Sequence, residues 1–353
     1  METIGMDIHR KQCQATVLDE RGNVREEKRI ATTTEALMAF FERHQDARMA
    51  IESTGNWEHV LNVGRQCGLN VVLANPFKTR LIAEAKIKTD KVDSLILAKL
   101  MNADMLPECY VPDDETREAR KDVRERILMK KTSTALKNHI YSELLRRGIE
   151  YKDGILGSKT GRKWAKETLA EPRLEQTFIL LETVEGSITE YNKERLLPAF
   201  EKNEKAQLVS TMPGIGYYSA LTIVAELGDI NRFTDTDKVV SYCGLNPTVH
   251  QSADHERHGS ITKTGPTSLR WILVEAAHGH LLHCKDKENC KLCQFYKRVS
   301  KRRGKNIAFV AMAAKMIRII YWMLKLNQPY SSQGLKPTVG MPENGDRLTG
   351  LNP

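Results

Sequence analysis

Residues 3–31, TIGMDIHRKQCQATVLDERGNVREEKRIA, decide how this chain folds. Residues 3–18 alternate toward apolar positions, the period-two signature of strands that bury one face. They run into Asp19-Glu20-Arg21-Gly22-Asn23, a turn composition that should join antiparallel strands, and a third strand near Val24 to Ala31 would complete a meander. Working outward, Thr32 to Thr34 offer caps for a helix through Phe40 and Phe41. Arg48 to Glu52 reads as a short buried strand, Asn56 to Cys67 as a helix, and Asn70 to Ala74 as a strand ending before Pro76. A helical pattern resumes at Phe77 and, after a break near Lys88-Thr89, continues through Leu95, Ile96, Leu97 and Leu100.

Three strands followed by alternating helix and strand is the order of a ribonuclease-H-like α/β domain. Four carboxylates are spaced along it: Asp7 on the first strand, Glu52 at the end of a central strand, and Asp90 and Asp93 three apart on one helix face. In such a sheet the strands of Asp7 and Glu52 are neighbours. The four together could hold two Mg2+ ions ~3.5–4 Å apart, one beside an attacking oxygen and one beside a leaving oxygen, as phosphodiester chemistry requires.

Beyond residue 108 the character changes. Asp113 to Gly148 is charged, helix-forming and free of Pro and Gly until its end. A second helical stretch runs from about Leu174 through Ile179, Val184, Ile188 and Leu196, which predicts two long helices joined by a polar loop, an antiparallel arm or coiled coil over 109–203. A third region, 204–327, opens on Met212-Pro213-Gly214-Ile215-Gly216 before the apolar stretch Ser219 to Leu227. That reads either as a plain structural turn or as the hairpin of a helix-hairpin-helix unit, in which Gly214 and Gly216 would let backbone amides approach a phosphate. Residues 246–265 read as a loop rich in His, Arg, Lys and hydroxyls, where a serine could attack phosphorus. The Gly/Pro/Asn-rich residues 328–353 read as a disordered tail.

The 353 residues carry a formal charge of +9. The excess is clustered: ten Lys/Arg against four Asp/Glu between Arg117 and Arg147, and nine against two between Lys285 and Lys305. Basic stretches on a chain with acidic metal ligands point to a polyanion gripped in one place and cut in another. Lys88, Lys91, Arg124, Lys130, Lys131, Lys263 and Arg270 are the expected nucleic-acid contacts. No apolar run is read as reaching the ~20 uninterrupted residues of a membrane helix, and no signal peptide is read at Met1. Seven cysteines, an odd number, fit free thiols in a reducing, cytoplasmic compartment. Cys290 and Cys293 form a C-x-x-C with Cys284 upstream, but the spacing is loose for structural zinc, which is not the favoured reading there.

The motifs G-M-D-I-H, E-S-T-G, K-T-D-x-x-D, M-P-G-I-G, C-G-L-N-P and Q-S…G-S-I-T-K-x-G…L-R, in that order, resemble the DEDD insertion-sequence transposases. That family includes the Piv-type DNA invertases and the bridge-RNA-guided recombinases. The resemblance implies a RuvC-like domain over 1–108, a coiled-coil arm and a C-terminal transposase domain. It also implies Asp7, Glu52, Asp90 and Asp93 as magnesium ligands, and a serine nucleophile that links transiently to DNA. The matching serine is Ser252; Ala253 replaces the usual glycine after it, which keeps Ser260 as a second candidate. DNA and a structured guide RNA are the implied partners, and the placement of Ser252 and the carboxylates in different domains predicts a dimer or tetramer. Two other functions are compatible with the residues: a metal-dependent junction resolvase or nuclease that uses water, and a non-catalytic DNA-binding protein.

Overall fold

The computed structural model describes residues 1–53, 55–83, 89–252 and 255–332, with backbone alone between 249 and 258. Lys88 and residues 333–353 of the expected tail lie outside that set. The chain divides into two compact units, Met1–Val111 and Pro112–Pro353.

The first unit contains β1 (Thr3–Ile8), β2 (Gln12–Leu18), β3 (Val24–Ala31), α1 (Thr34–Phe41), β4 (Arg48–Glu52), α2 (Trp57–Gln66), β5 (Asn70–Ala74), α3 (Pro76–Ile82) and α4 (Asp90–Asn102). Its sheet order is β3-β2-β1-β4-β5. β1, β2 and β3 pair antiparallel, whereas β4 runs parallel to β1 and β5 parallel to β4. This mixed sheet is compatible with a ribonuclease-H-like fold. The first turn forms because the Asp19 carboxylate accepts from the amides of Arg21 (2.9 Å) and Asn23 (2.8 Å), and Gly22 takes φ +83°. Ile4, Met6 and Ile8 face one core with Leu37, Phe40 and Phe41 of α1 and Val60 and Leu61 of α2. Ala50 and Ala74 meet Leu97 and Met101 of α4 on the opposite face.

The second unit is mostly helical: α5 (Asp114–Arg146), α6 (Lys159–Leu169), α7 (Glu175–Tyr191), α8 (Leu197–Glu201), α9 (Glu204–Ser210), α10 (Tyr217–Leu227) and α11 (Thr236–Tyr242) precede β6 (Pro247–Ser252) and β7 (His255–Ile261), and α12 (Thr267–His283), α13 (Lys291–Arg303) and α14 (Lys305–Leu326) follow. The expected arm and C-terminal domain, 109–203 and 204–327, thus fall almost wholly within one unit. α5 and α7 run antiparallel, since Ser133 and Lys137 bond to Glu185 while Asp122 bonds to Tyr191. Their connection is not a polar loop. It contains α6, whose Ala165 and Leu169 share a core with Ile140 and Leu144 of α5 and Phe178 and Leu181 of α7. Gly161 permits this tight entry, because a Cβ there would stand 1.9 Å from the Ile155 carbonyl oxygen.

The second core joins Val123 of α5 to α9, α10, α11, α12 and α14. α14 passes a length-and-composition criterion for crossing a membrane, although, as the sequence indicates, Lys315 and Arg318 interrupt its apolar run. Here Met312, Ala313, Met316, Ile317, Ile320 and Met323 are buried within protein. Residues 247–252 and 255–261, expected as loop, pair as antiparallel strands in which Ser252 is opposite His255.

Candidate active site

Strand parity sets the site. Ile4, Met6 and Ile8 face the α1/α2 core, so Gly5 and Asp7 face α4. Gly5 is the point where α4 crosses: a Cβ there would lie 2.0 Å from the Ser94 carbonyl oxygen and 2.3 Å from the Ala98 nitrogen. The Thr16 and Ser94 hydroxyls, 2.8 Å apart, hold the same helix to β2. In the parallel ladder Met6 pairs with Ile51, so Asp7 and Glu52 are the next positions along, and Glu52 shares the face of Ala50.

α4 begins beside them. The Thr89 hydroxyl caps it by accepting from the Val92 amide, and Asp90 and Asp93 occupy its first turn, where the helix dipole favours negative charge. His9, two residues beyond Asp7, places Nε2 3.1 Å from an Asp7 oxygen and 3.2 Å from an Asp90 oxygen. Arg29 lies 3.8 Å from the other Asp90 oxygen. Burial raises the Asp7 carboxyl above the usual carboxylate range; His9 opposes this, and the charges of Asp90 and Asp93 add to it. The structure therefore brings Asp7, Asp90 and Asp93 together and aligns Glu52 by register. Sequence reasoning passed over His9, although period-two spacing from Asp7 marks it. A shallow cleft lined by His9, Lys11, Gln14 and Arg29 opens beside Asp90.

A partly buried group of carboxylates, hard oxygen donors, fits a divalent cation, which would offset both the burial and the neighbouring charges that raise Asp7. Lys91 reaches Glu27 at 3.0 Å, on the outer side of this helix turn.

The other expected residues lie in the second unit. Ser252 ends β6, and its side chain is outside the described set. Ser260 is exposed on β7, and its carbonyl accepts from the Thr248 hydroxyl at 3.0 Å. Lys263 is exposed with φ +56°. Arg270 donates to the carbonyls of Cys243 (3.3 Å) and Thr264 (3.0 Å), tying the C-G-L-N-P corner to the K-T-G loop. Gly214, at φ +89°, allows contact with α12: a Cβ would meet the His280 nitrogen at 2.2 Å. Gly216 caps α10, and a Cβ there would meet nothing within 4 Å. Lys130 lies 3.7 Å from Glu185, and Lys131 is exposed.

Arg124 is committed internally. It forks onto Glu226 with two bonds of 2.9 Å, and the Ser268 hydroxyl donates to the same carboxylate at 2.7 Å. Glu226 is fully buried; burial alone would raise its carboxyl, but the Arg124 and Ser268 bonds and the Arg124 and Arg120 charges bring it below the usual range. A lone glutamate within the apolar YYSALTIVAEL of α10 was the available signal for this network.

With that geometry in place, two family models match: one described as a transposase, of the DEDD type, over residues 4–147, and one described as the transposase IS116/IS110/IS902 family over residues 206–291. The chain is 26% identical to the transposase for insertion sequence element IS1111A of Coxiella burnetii, over 94% of this chain and 91% of that protein. It is 25% identical to a probable family 20 transposase of Pseudomonas aeruginosa, covering 94% and 98%. A pilin gene-inverting protein of Moraxella bovis is 24% identical over 81% of this chain and 82% of its own length.

Proposed function

This chain belongs to the IS116/IS110/IS902 family of transposases, and from that premise we propose that it cuts and rejoins DNA through a carboxylate site on a RuvC-like domain and a serine in its second unit. The observation that carries the reading is the meeting of Asp7 and Asp90 across His9, with Asp93 close enough to act on Asp7 and Glu52 next along the ladder. Asp7, Glu52, Asp90 and Asp93 would hold two Mg2+ ions, which when bound supply positive charge to a phosphate and its leaving oxygen. His9 donates to whichever carboxylate oxygen faces it and holds Asp7 and Asp90 in a fixed relation. Lys11 and Arg29, in the adjoining cleft, suit a phosphate backbone.

Ser252 is the nucleophile in this reading. Its oxygen forms a bond to phosphorus as the phosphorus–oxygen bond of the DNA strand breaks, and the departing strand oxygen takes a proton. The reverse attack by a strand-end hydroxyl restores the DNA and frees the serine, so the bond energy is kept without a nucleotide cofactor. Ser260 is the second candidate. α9, the 212–216 turn and α10 serve as a helix-hairpin-helix, supported by the open N-terminus at Gly216. α5 and α7 form the arm, where Lys131 can meet phosphates. A structured RNA serves as guide, because few aromatic residues are available to read bases directly (6% FWY). A dimer or tetramer completes the proposal, since Ser252 and the carboxylates belong to different units of the chain.

The test is strand cleavage of element-end DNA, with denaturing gels to trap DNA-linked protein. Wild type is expected to give a covalent adduct that Ser252→Ala loses. Cleavage that persists in Ser252→Ala and Ser260→Ala without an adduct would replace the serine with water as nucleophile. RNA sequenced from the purified protein should be one discrete species; random fragments would remove the guide.

A further inference from the structure

We propose that His280, Cys284, Cys290 and Cys293 form a structural zinc site that locks the 212–216 hairpin against α12 and α13. His280 lies in the last turn of α12, and Cys284 follows as that helix's C-cap. Cys290 caps α13, and Cys293 lies in its first turn. Their exposures are 0%, 7%, 0% and 1%. The ligand atoms of all four fall within 4.8 Å of one another. Tetrahedral zinc, with bonds of about 2.3 Å to sulfur and about 2.0 Å to nitrogen, sets such atoms roughly 3.5–3.8 Å apart. The His280 Nε2 to Cys290 Sγ distance is 3.4 Å.

The surroundings of His280 and Cys290 suit the donor atoms that zinc needs. His280 Nδ1 is 2.9 Å from the Pro213 carbonyl oxygen, which can only accept, so Nδ1 carries the hydrogen and Nε2 turns its lone pair toward the sulfurs. The amides of Leu292 and Cys293 bond to the Cys290 sulfur, and the Asp286 amide bonds to that of Cys284. The Tyr330 hydroxyl stands 3.5 Å from Cys290. Amides directed at the Cys290 sulfur favour its thiolate, whereas burial raises the Cys284 and Cys293 thiols, so a cation among the four supplies the charge that lets them ligate deprotonated. Four protein donors complete a tetrahedron, which is the closed arrangement of a structural ion rather than a catalytic one.

The spacing His-x3-Cys-x5-Cys-x2-Cys looks loose in the sequence because α12 and α13, not a compact finger, deliver the ligands. The consequence reaches the hairpin. Pro213 holds His280 through its carbonyl, and Gly214 packs directly on the His280 backbone. An ion on His280 therefore fixes the position of the turn that presents Gly216.

Sulfur donors separate this site from the oxygen-donor carboxylates, so the two can be tested independently. Full-length protein, purified without chelators, is expected to carry about one zinc per chain by elemental mass spectrometry. Cobalt-substituted protein should show the intense visible bands of a tetrahedral site together with thiolate-to-cobalt charge transfer. Cys290→Ser and Cys293→Ser should lose the metal, whereas Cys243→Ser, at a buried thiol outside the cluster, and Asp7→Asn should keep it. If the cluster variants fail to fold, the wild-type cobalt spectrum decides alone. Wild-type protein without stoichiometric zinc, or a cobalt spectrum lacking the thiolate bands, overturns the site.

Discussion

Gly5→Ala is the sharpest probe of how the carboxylates are assembled. The added methyl carbon would sit 2.0 Å from the Ser94 carbonyl oxygen, 2.3 Å from the Ala98 nitrogen and 2.9 Å from the Ala98 Cβ. Two of those atoms belong to the backbone of α4, so no rotamer change relieves the clash. Restoring carbon contacts of about 3.5 Å means lifting α4 by roughly 1.5 Å from β1. Overpacking of this kind typically costs 1–3 kcal/mol, and backbone against backbone places it near the top, at about 3 kcal/mol. For a unit of this size that lowers the melting temperature by roughly 10–20 °C. Because α4 carries Asp90 and Asp93, the same displacement should reduce strand cleavage by about 100-fold even below the melting transition. Circular dichroism melts and single-turnover cleavage at low temperature read the two effects separately. A Gly5→Ala protein that melts within about 1 °C of wild type and cleaves at full rate would refute the packing of α4 on β1.

Two further outcomes follow from the electrostatics. Asp7→Asn removes a carboxylate that burial and its acidic neighbours disfavour, so in EDTA it should melt higher than wild type; added Mg2+ should raise the wild-type melting temperature but not the variant's, while strand cleavage is lost. Equal Mg2+ responses in calorimetry would remove Asp7 from the ligand set. Glu185 is held below its ordinary 4.5, at about 2, because Lys137, Ser133 and Lys130 outweigh the opposing effect of burial. A depressed folded-state value stabilises above the unfolded value and is lost as pH falls from about 4.5 toward 2. Urea unfolding across that window should therefore show a flatter pH slope for Glu185→Gln, and identical slopes would contradict the assignment.

The meander and the flanking strands were legible because their alternation and the Asp19–Asn23 turn are local signals. The neighbouring positions of Asp7 and Glu52 followed from strand order alone. The closeness of Asp90 to Asp7 did not, since it depends on a helix backbone riding directly over Gly5, a contact between residues about ninety apart in the chain. α6 went unread because its apolar face is short and finds its partners only in the cleft between α5 and α7. The β6/β7 hairpin was masked by polar side chains on both strands, which alternate too weakly to mark a buried face. Arg124 read as a free cation because nothing near it in sequence reveals that Glu226 waits on α10. Gly214 likewise read as a phosphate contact, whereas the structure brings α12 to it.

α5 is anchored twice: Val123 belongs to the core around α10, while Ile140 and Leu144 belong to the cluster with α6 and α7. At 33 residues it extends about 50 Å. An uninterrupted rod clamped at both ends acts as a strut that carries torque. A displacement of the α6 end is therefore passed along a single continuous backbone to the core that contains Met212 and Ile215 of the 212–216 turn.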